Sequence, residues 1–350
     1  MPAHADRIEN CSHTPAEDSK RGVTFLEMPV REIVNRCANE RLPFDWTINP
    51  YRGCEFGCVY CYARYTHEFL ELRDPMDFER RIFFKAGAAR ALAGALSRGR
   101  LSRGTIALGT ATDPYQPAER KFALTRSLLE VFATAAGLSL SITTKSHLIV
   151  RDLNLLRSIA SRSRLSVNFS LITLNRRLQR ILEPRAPRPA LRLRALAALS
   201  SAGICCNLLV MPVIPGLTDH EAALANLLRA ARQAGAAQIW WRSLFLKPAA
   251  ARRFLPFVRS KLPHLGQEIE RLYGTHAYAP KAYEQRMSET FRALKLRWGF
   301  ADEQRRPCLP QAAETARQFS LFAPGPSRPG LTNRQPQGSV VSESAPACTR

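Results

Sequence analysis

No stretch of this chain approaches the ~18 consecutive apolar residues that a membrane-spanning helix needs. The first 22 residues, MPAHADRIENCSHTPAEDSKRG, also lack the apolar core of a secretory signal. The expected compartment is the cytoplasm, with no membrane partner, where thiols stay reduced. Acidic side chains are scarce: 29 Asp and Glu stand against 51 Lys and Arg, a formal charge of +22. That imbalance favours polyanionic partners, DNA or RNA first, although a proteome that writes arginine freely would give the same count. Nine cysteines in a reducing compartment point away from a disulfide framework and toward metal or redox chemistry.

A fourth closely spaced cysteine is missing too. The stretch "NPYRGCEFGCVYCYARYTHEFL", residues 49–70, holds Cys54, Cys58 and Cys61 at C-x3-C-x2-C. Structural zinc takes four ligands, and here the fourth would have to be His67 or a distant side chain. A [4Fe–4S] cube held by three thiolates instead keeps one iron open, as catalytic metal sites do. Gly53 and Gly57 permit the turns that bring three sulfurs together. Tyr60 sets an aromatic ring against such a cluster. Cys11, Cys37, Cys308 and Cys348 show no ligand spacing.

Short apolar or β-branched runs recur at "DWTIN" (45–49), "TIALGT" (105–110), "LSITTK" (140–145), "LSVNFSLIT" (165–173), "ICCNLLVMPV" (204–213) and "AQIWWRSLFL" (237–246). Helical patterns separate them. Asp152 is the expected N-cap of one helix and Thr218 or Asp219 of another, and Pro189 opens a third. Six strands alternating with five helices predict an α/β fold of parallel β/α units. They close either into a partial (β/α)6 barrel or into an open doubly wound sheet. Ligands sit at the C-terminal strand ends in both. The expected organisation is a disordered tail over 1–22, the barrel over 23–247, a helical extension over 248–322 and a second disordered tail over 323–350. The patch Gln318–Phe322 is expected to dock on the folded body.

The cysteine triplet with its aromatic, on the loop after the first strand, resembles the radical S-adenosylmethionine (radical SAM) superfamily. "GTATDPYQPAER", "TTKSHLIVRDLNLL", "ILEPRAP", "VMPVIPGLTD" and "QFSLF" are similar to the branch related to spore photoproduct lyase, often labelled DNA repair photolyase-like. The resemblance spans residues 40–322. It implies a [4Fe–4S] cluster on Cys54, Cys58 and Cys61 and S-adenosylmethionine on the open iron. It further implies an electron donor such as flavodoxin or ferredoxin, and a 5′-deoxyadenosyl radical that removes a hydrogen atom from substrate.

Further candidates follow from strand ends and from the resemblance. Thr110, Thr112 and Asp113 would grip the methionyl ammonium, with Tyr115 on the same loop. Lys145 would pair with the carboxylate and Ser170 with the ribose. "NRRLQRILEPRAPRPALRLR" (175–194) carries seven arginines suited to phosphate oxygens. Within it, Glu183 and Arg185 are expected to serve the cofactor or the barrel mouth. Cys205 and Cys206 are candidate hydrogen donors, weighed against a role as buried small side chains. The absence of any cysteine between Cys61 and Cys205 departs from spore photoproduct lyase and argues against spore photoproduct as substrate. Trp240 and Trp241 are expected to pack against core and helix. The competing reading is a nucleic-acid-binding protein with a structural zinc or iron–sulfur site and no turnover.

Overall fold

A computed structural model describes residues 16–18, 22–39, 42–274 and 276–300. Cys11, Cys308, Cys348 and the patch 318–322 lie outside the described residues. The strands are β1 (Ala16–Asp18), β2 (Val23–Glu27), β3 (Val34–Arg36), β4 (Trp46–Ile48), β5 (Tyr51–Arg52), β6 (Arg81–Phe84), β7 (Thr105–Leu108), β8 (Ser139–Thr144), β9 (Arg164–Ser170), β10 (Cys205–Val213) and β11 (Gln238–Ser243).

Seven strands form one sheet in the order β11-β10-β9-β8-β7-β4-β3. From β4 to β11 every neighbour is parallel, and β3 adds an antiparallel edge. Spatial order therefore follows chain order without reversal. A doubly wound sheet reverses its strand order at a switch point, so the sequential winding selects the partial (β/α)6 barrel.

Strand periodicity separates two environments. In β8, Leu140 and Ile142 are buried, while Ser139, Ser141 and Thr143 between them are partly accessible. Val167 and Phe169 of β9 and Leu208 and Val210 of β10 continue the apolar side, which the helices cover. The other face is small and polar. Asn168 Nδ2 donates to Ser141 Oγ at 2.8 Å, and Asn207 Nδ2 donates to Asn168 Oδ1 at 3.0 Å. An alternating strand thus packs against helices on one side and lines a polar lumen on the other.

Helices Ala88–Ser97, Leu124–Thr134, Leu153–Arg162, Pro189–Ser201 and Glu221–Gln233 occupy the expected intervals. Pro189 opens its helix and Asp152 stands at the N-cap of another, as expected, but the capping bonds differ. The Asp152 side chain makes no cap bond and takes Arg126 and Arg151 instead. His220 precedes the 221–233 helix. Thr218 Oγ1 accepts from Ile214 N at 2.7 Å and Asp219 Oδ2 from Tyr283 Oη at 3.1 Å. Tertiary partners outcompete the local cap at these positions. Beyond the barrel lie helices Pro248–Lys261, Pro263–Tyr273 and Lys281–Arg297. The last covers the edge strand: Trp241 stacks on Phe291 at 4.9 Å, and Lys295 Nζ lies 5.6 Å from the Trp240 ring centroid.

A second sheet, β1-β2-β6-β5, has no counterpart in the sequence reading, and β1 falls inside the segment expected to be disordered. Its strands run two to five residues, too short for periodicity to register. It encloses a small core of Val23, Phe25, Tyr51, Ile82 and Ala118. Tyr51 Oη donates at 2.5 Å to the Glu119 carboxylate, which also accepts from Thr125 N at 2.8 Å, Arg126 N at 3.1 Å and Arg151 at 2.9 Å. Glu119 has no exposed surface. Substituting Glu119→Ala leaves these donors unmatched and should cost about 3 kcal/mol. Urea unfolding should show a lower midpoint with unchanged slope.

Candidate active site

The cysteine loop leaves β5 through Gly53, whose φ is +87°. A Cβ there would lie 2.8 Å from Arg81 O and 2.9 Å from Phe78 O, so glycine is required both by conformation and by space. Cys54 N donates to Phe78 O at 2.9 Å, and Cys61 N donates to Cys58 O at 3.2 Å. Arg64 is buried and binds the loop from behind. It donates to Cys58 O at 2.9 Å, Pro75 O at 2.5 Å and the Glu79 carboxylate at 2.5 Å. The sequence reading missed Arg64 and Glu79.

The three thiols sit close together. Burial raises the pKa of Cys54 most, with Asp113, Cys58 and Cys61 adding to the rise. Burial pushes Cys58 up to about 12, against the opposing charge of Lys145. Cys61 is likewise raised by burial, and Arg64 works in the opposite direction. Metal coordination would remove these protons and supply the missing positive charge.

Among the described residues, no three Cys, His, Asp or Glu side chains are arranged to hold a single ion. One zinc would draw every thiolate to ~2.3 Å from a common centre. A four-iron cube gives each thiolate its own iron and tolerates a wider spread. His67 Nε2 lies 3.0 Å from Arg81 O, its ring packs edge-on against Phe78 and Phe83, and its Nδ1 is buried without a hydrogen-bond partner. Three thiols without a fourth grouped ligand suit a cluster that gives each sulfur its own iron.

A buried network lies across from the loop. The Tyr60 hydroxyl donates to Glu183 Oε1, and Arg192 donates to Glu183 Oε2. Arg192 also donates to Ser170 O at 2.9 Å and Pro187 O at 2.8 Å. Lys145, just past the end of β8, donates to Ser170 Oγ at 2.8 Å, stands 3.9 Å from Glu183 and lies 5.9 Å from the Tyr60 ring centroid. Val59 N donates to Leu182 O at 3.0 Å, stitching the two loops together. Burial alone would raise Glu183, but the Arg192 and Lys145 charges outweigh it and hold the carboxyl below its ordinary value. Burial would likewise lower Lys145, yet Cys58 and Glu183 raise it overall. Lys145 is therefore a firm cation at the barrel mouth.

Tyr60, Lys145, Ser170 and Glu183 thus converge on the cysteine loop. The loop after β7 serves differently. Asp113 accepts from Tyr115 N at 2.9 Å, Thr144 Oγ1 at 2.7 Å and Lys145 N at 2.7 Å. Thr112 Oγ1 donates to Gly53 O at 2.5 Å and accepts from Gln116 at 3.0 Å. These two side chains are engaged in fixing the loop to β8 and to Gly53. Thr110 Oγ1 accepts from Asn49 at 3.2 Å and stays partly accessible.

Cys205 and Cys206 are not brought to the site. They open β10, and Cys205 pairs with Ser166 whereas Ser170 pairs with Leu209. Four residues of strand, about 13 Å, separate them from the mouth. Cys206 is buried on the helix side. Among the seven arginines of 175–194, Arg192 is fully buried, whereas Arg176, Arg177, Arg180, Arg185, Arg188 and Arg194 are exposed.

Glu183→Gln should lose about 3 kcal/mol at neutral pH, because Arg192 would keep its buried charge without a counter-ion. A depressed carboxyl contributes fully above its ordinary value of 4.5 and loses that contribution as pH falls through its lower native value. Urea titrations across pH should therefore show the gap between wild type and variant closing below about pH 4.5. Gly53→Ala should prevent iron incorporation, read by metal analysis after reconstitution.

The comparisons agree with this geometry. The profile of the radical SAM superfamily matches residues 48–228. An uncharacterized protein of Mycobacterium tuberculosis is 36% identical over 304 residues, 86% of this chain and 89% of its own length. One from Methanocaldococcus jannaschii is 30% identical over 179 residues, 50% of this chain and 63% of its own. A spore photoproduct lyase variant, solved with AdoMet and dinucleoside spore photoproduct, shares the fold with a TM-score of 0.60 at 16% identity, over 79% of this chain and 80% of its own. A second variant of that enzyme gives 0.59 at 16% identity, over 82% and 84%. Three thiols on the first barrel loop, a lysine–serine pair at the facing strand ends and a matching profile lead to one conclusion: the chain belongs to the radical SAM superfamily.

Proposed function

We propose that this protein is a radical SAM enzyme that binds a [4Fe–4S] cluster through Cys54, Cys58 and Cys61, cleaves S-adenosylmethionine reductively and acts on nucleic acid. The observation that carries the reading is the convergence of three thiols, those of Cys54 and Cys58 buried and that of Cys61 half-buried, with Lys145 and Ser170 at one mouth of a polar-lined barrel. When bound, the cluster and its sulfonium cofactor supply a primary carbon radical able to take a hydrogen atom from an unactivated C–H bond.

The chain's own residues hold and shield that chemistry. Lys145, a cation raised in pKa by Cys58 and Glu183 against burial, is placed to bind the carboxylate of the methionyl group. Ser170 Oγ, which accepts from Lys145, presents a hydroxyl toward the ribose. Tyr60 closes over the cysteine loop through Glu183 and excludes water. Arg192 neutralises Glu183, so Lys145 is left available for an anionic ligand. Electrons would come from a low-potential donor such as flavodoxin or ferredoxin, drawn to a basic surface.

The chain differs from a thiol-terminated repair reaction in one respect. Cys37 follows β3 beside Asp45, at the N-terminal end of β4, and Cys205 and Cys206 also lie away from the mouth. Among the described residues, the triplet provides the only cysteines at the mouth. None of the described cysteines outside the triplet is placed to return a hydrogen atom to a product radical, which supports a substrate other than spore photoproduct.

Anaerobic reconstitution should yield a brown protein with about four irons per chain. With dithionite it should release 5′-deoxyadenosine from S-adenosylmethionine. Cys58→Ala should lose both the colour and the cleavage. Lys145→Met should keep the colour and raise the KM for S-adenosylmethionine at least tenfold, the loss of one charge-assisted contact. A colourless protein with one tightly held zinc would sink the reading.

A further inference from the structure

Two ring pairs stand on adjoining elements beside the cysteine loop. Tyr65 and Phe69, just past Cys61, meet edge to face with centroids 5.7 Å apart. Phe245, in the loop after β11, and Tyr278, between the last two helices, lie 4.7 Å apart at a 35° tilt. Lys247 joins the pairs: its Nζ is 5.5 Å from the Tyr65 centroid and 5.6 Å from that of Phe245. The result is one continuous strip, Phe69–Tyr65–Lys247–Phe245–Tyr278.

The fold holds this strip in place. Leu246 N donates to Ala277 O at 2.9 Å, which sets Phe245 beside Tyr278. Arg252 pairs with Glu68, which docks the 248–261 helix against the short helix Tyr65–Glu68. The two end rings remain open to solvent, Phe69 at 68% and Tyr278 at 70% exposure.

Positive charge accompanies the rings without matching acids. Arg52, two residues before Cys54, and Lys85 are half-buried. Among the described residues neither side chain has a hydrogen bond or ion pair. They lie near one another: Arg52 pairs with Phe83 across β5 and β6, and Lys85 N donates to Pro50 O at 3.1 Å. Arg52 also lies within the electrostatic reach of Tyr65. Glu68, the acid next to the strip, is already taken by Arg252.

Two ring pairs, each with one exposed ring, flanking an unpaired lysine and accompanied by two more unpaired cations match a ligand that combines flat π faces with anions. A nucleic acid strand does so, and only an unpaired strand presents the faces of its bases. A duplex hides those faces in its stack. Stacking and charge, the interactions that dominate the strip, act on features DNA and RNA share. We infer that the strip Phe69–Tyr65–Lys247–Phe245–Tyr278 binds single-stranded nucleic acid, DNA and RNA alike, stacking unpaired bases on its rings while Arg52 and Lys85 take phosphates. This rests on the reading of the substrate as nucleic acid, and it places the unpaired segment next to the cysteine loop.

The test is fluorescence anisotropy with the full chain and labelled oligo-dT, oligo-U and a blunt duplex, each of about 15 nucleotides, at about 50 mM salt. Single strands should bind more tightly than duplex, and DNA and RNA should agree within about threefold. Phe69→Ala and Tyr278→Ala, both at exposed positions, should leave thermal unfolding unchanged and weaken binding by about 5- to 100-fold each. Lys247→Ala should reduce the slope of log affinity on log salt by about 0.7. Arg157→Ala, an exposed cation on the 153–162 helix, should change nothing. Undiminished oligonucleotide binding in both ring variants would overturn the proposal, as would a preference for duplex. So would loss of binding to an acidic flavoprotein in Lys247→Ala with oligonucleotide binding intact. Reductive cleavage of S-adenosylmethionine is a separate readout: its failure beside intact strand binding would remove the enzymatic reading and leave the strip.

Discussion

A single buried carboxylate holds the functional end of this protein together. Glu183 has no exposed surface, and the Tyr60 hydroxyl, the Arg192 guanidinium and Lys145 surround it. Tyr60 belongs to the cysteine loop, Lys145 to the end of β8, and Glu183 and Arg192 to the connection after β9. One anion therefore fixes three segments that the chain brings from far apart. Alone it would be costly in a low-dielectric interior, and two cations make it tolerable. The same arrangement sets two cations against the Glu183 carboxylate. Those cations favour thiolates and an anionic ligand group over an empty apolar cavity.

The barrel provides two different surroundings from one strand pattern. Apolar residues face the helices, and serine, threonine and asparagine face the lumen. Lys145 continues the lumen-facing row of β8 past its last paired residue, and Ser170 is the last paired residue of the corresponding row of β9. The site is thus the top of a row that begins as ordinary small polar side chains. Behind the cysteine loop, the short second sheet and Arg64 supply rigidity. Gly53 lets the loop pass so close to Arg81 O and Phe78 O that no side chain fits.

The site residues divide by what could be read locally. The triplet was legible because three thiols at C-x3-C-x2-C spacing within eight residues have few uses other than metal binding. Lys145 and Ser170 were legible from their place at strand ends combined with the family resemblance. Arg192 was read as one basic residue among seven in a run. Nothing in the spacing distinguishes it from Arg188 or Arg194, and only its position inside the fold, against Glu183, does so. Asp113 and Thr112 were read as cofactor ligands, yet their acceptors and donors are engaged in fixing loops. Cys205 and Cys206 looked like interior thiols, and the direction of β10 sends them to the opposite end.

By itself the sequence determined the alternation of six apolar strands with five helices and the three clustered sulfurs. Both are encoded over short windows, through side-chain periodicity and through spacing within one turn. It also set the excess of positive charge. The tertiary structure decided that the strands wind in order into a partial barrel, because handedness and pairing are not local properties. It decided which of seven arginines is buried and joined two aromatic pairs through Lys247. It also closed Glu183 between partners nine and more than a hundred residues away. The Tyr60 contact depends on the path of the whole chain, and the Arg192 contact on how the 183–192 segment folds back on itself, which its spacing does not specify.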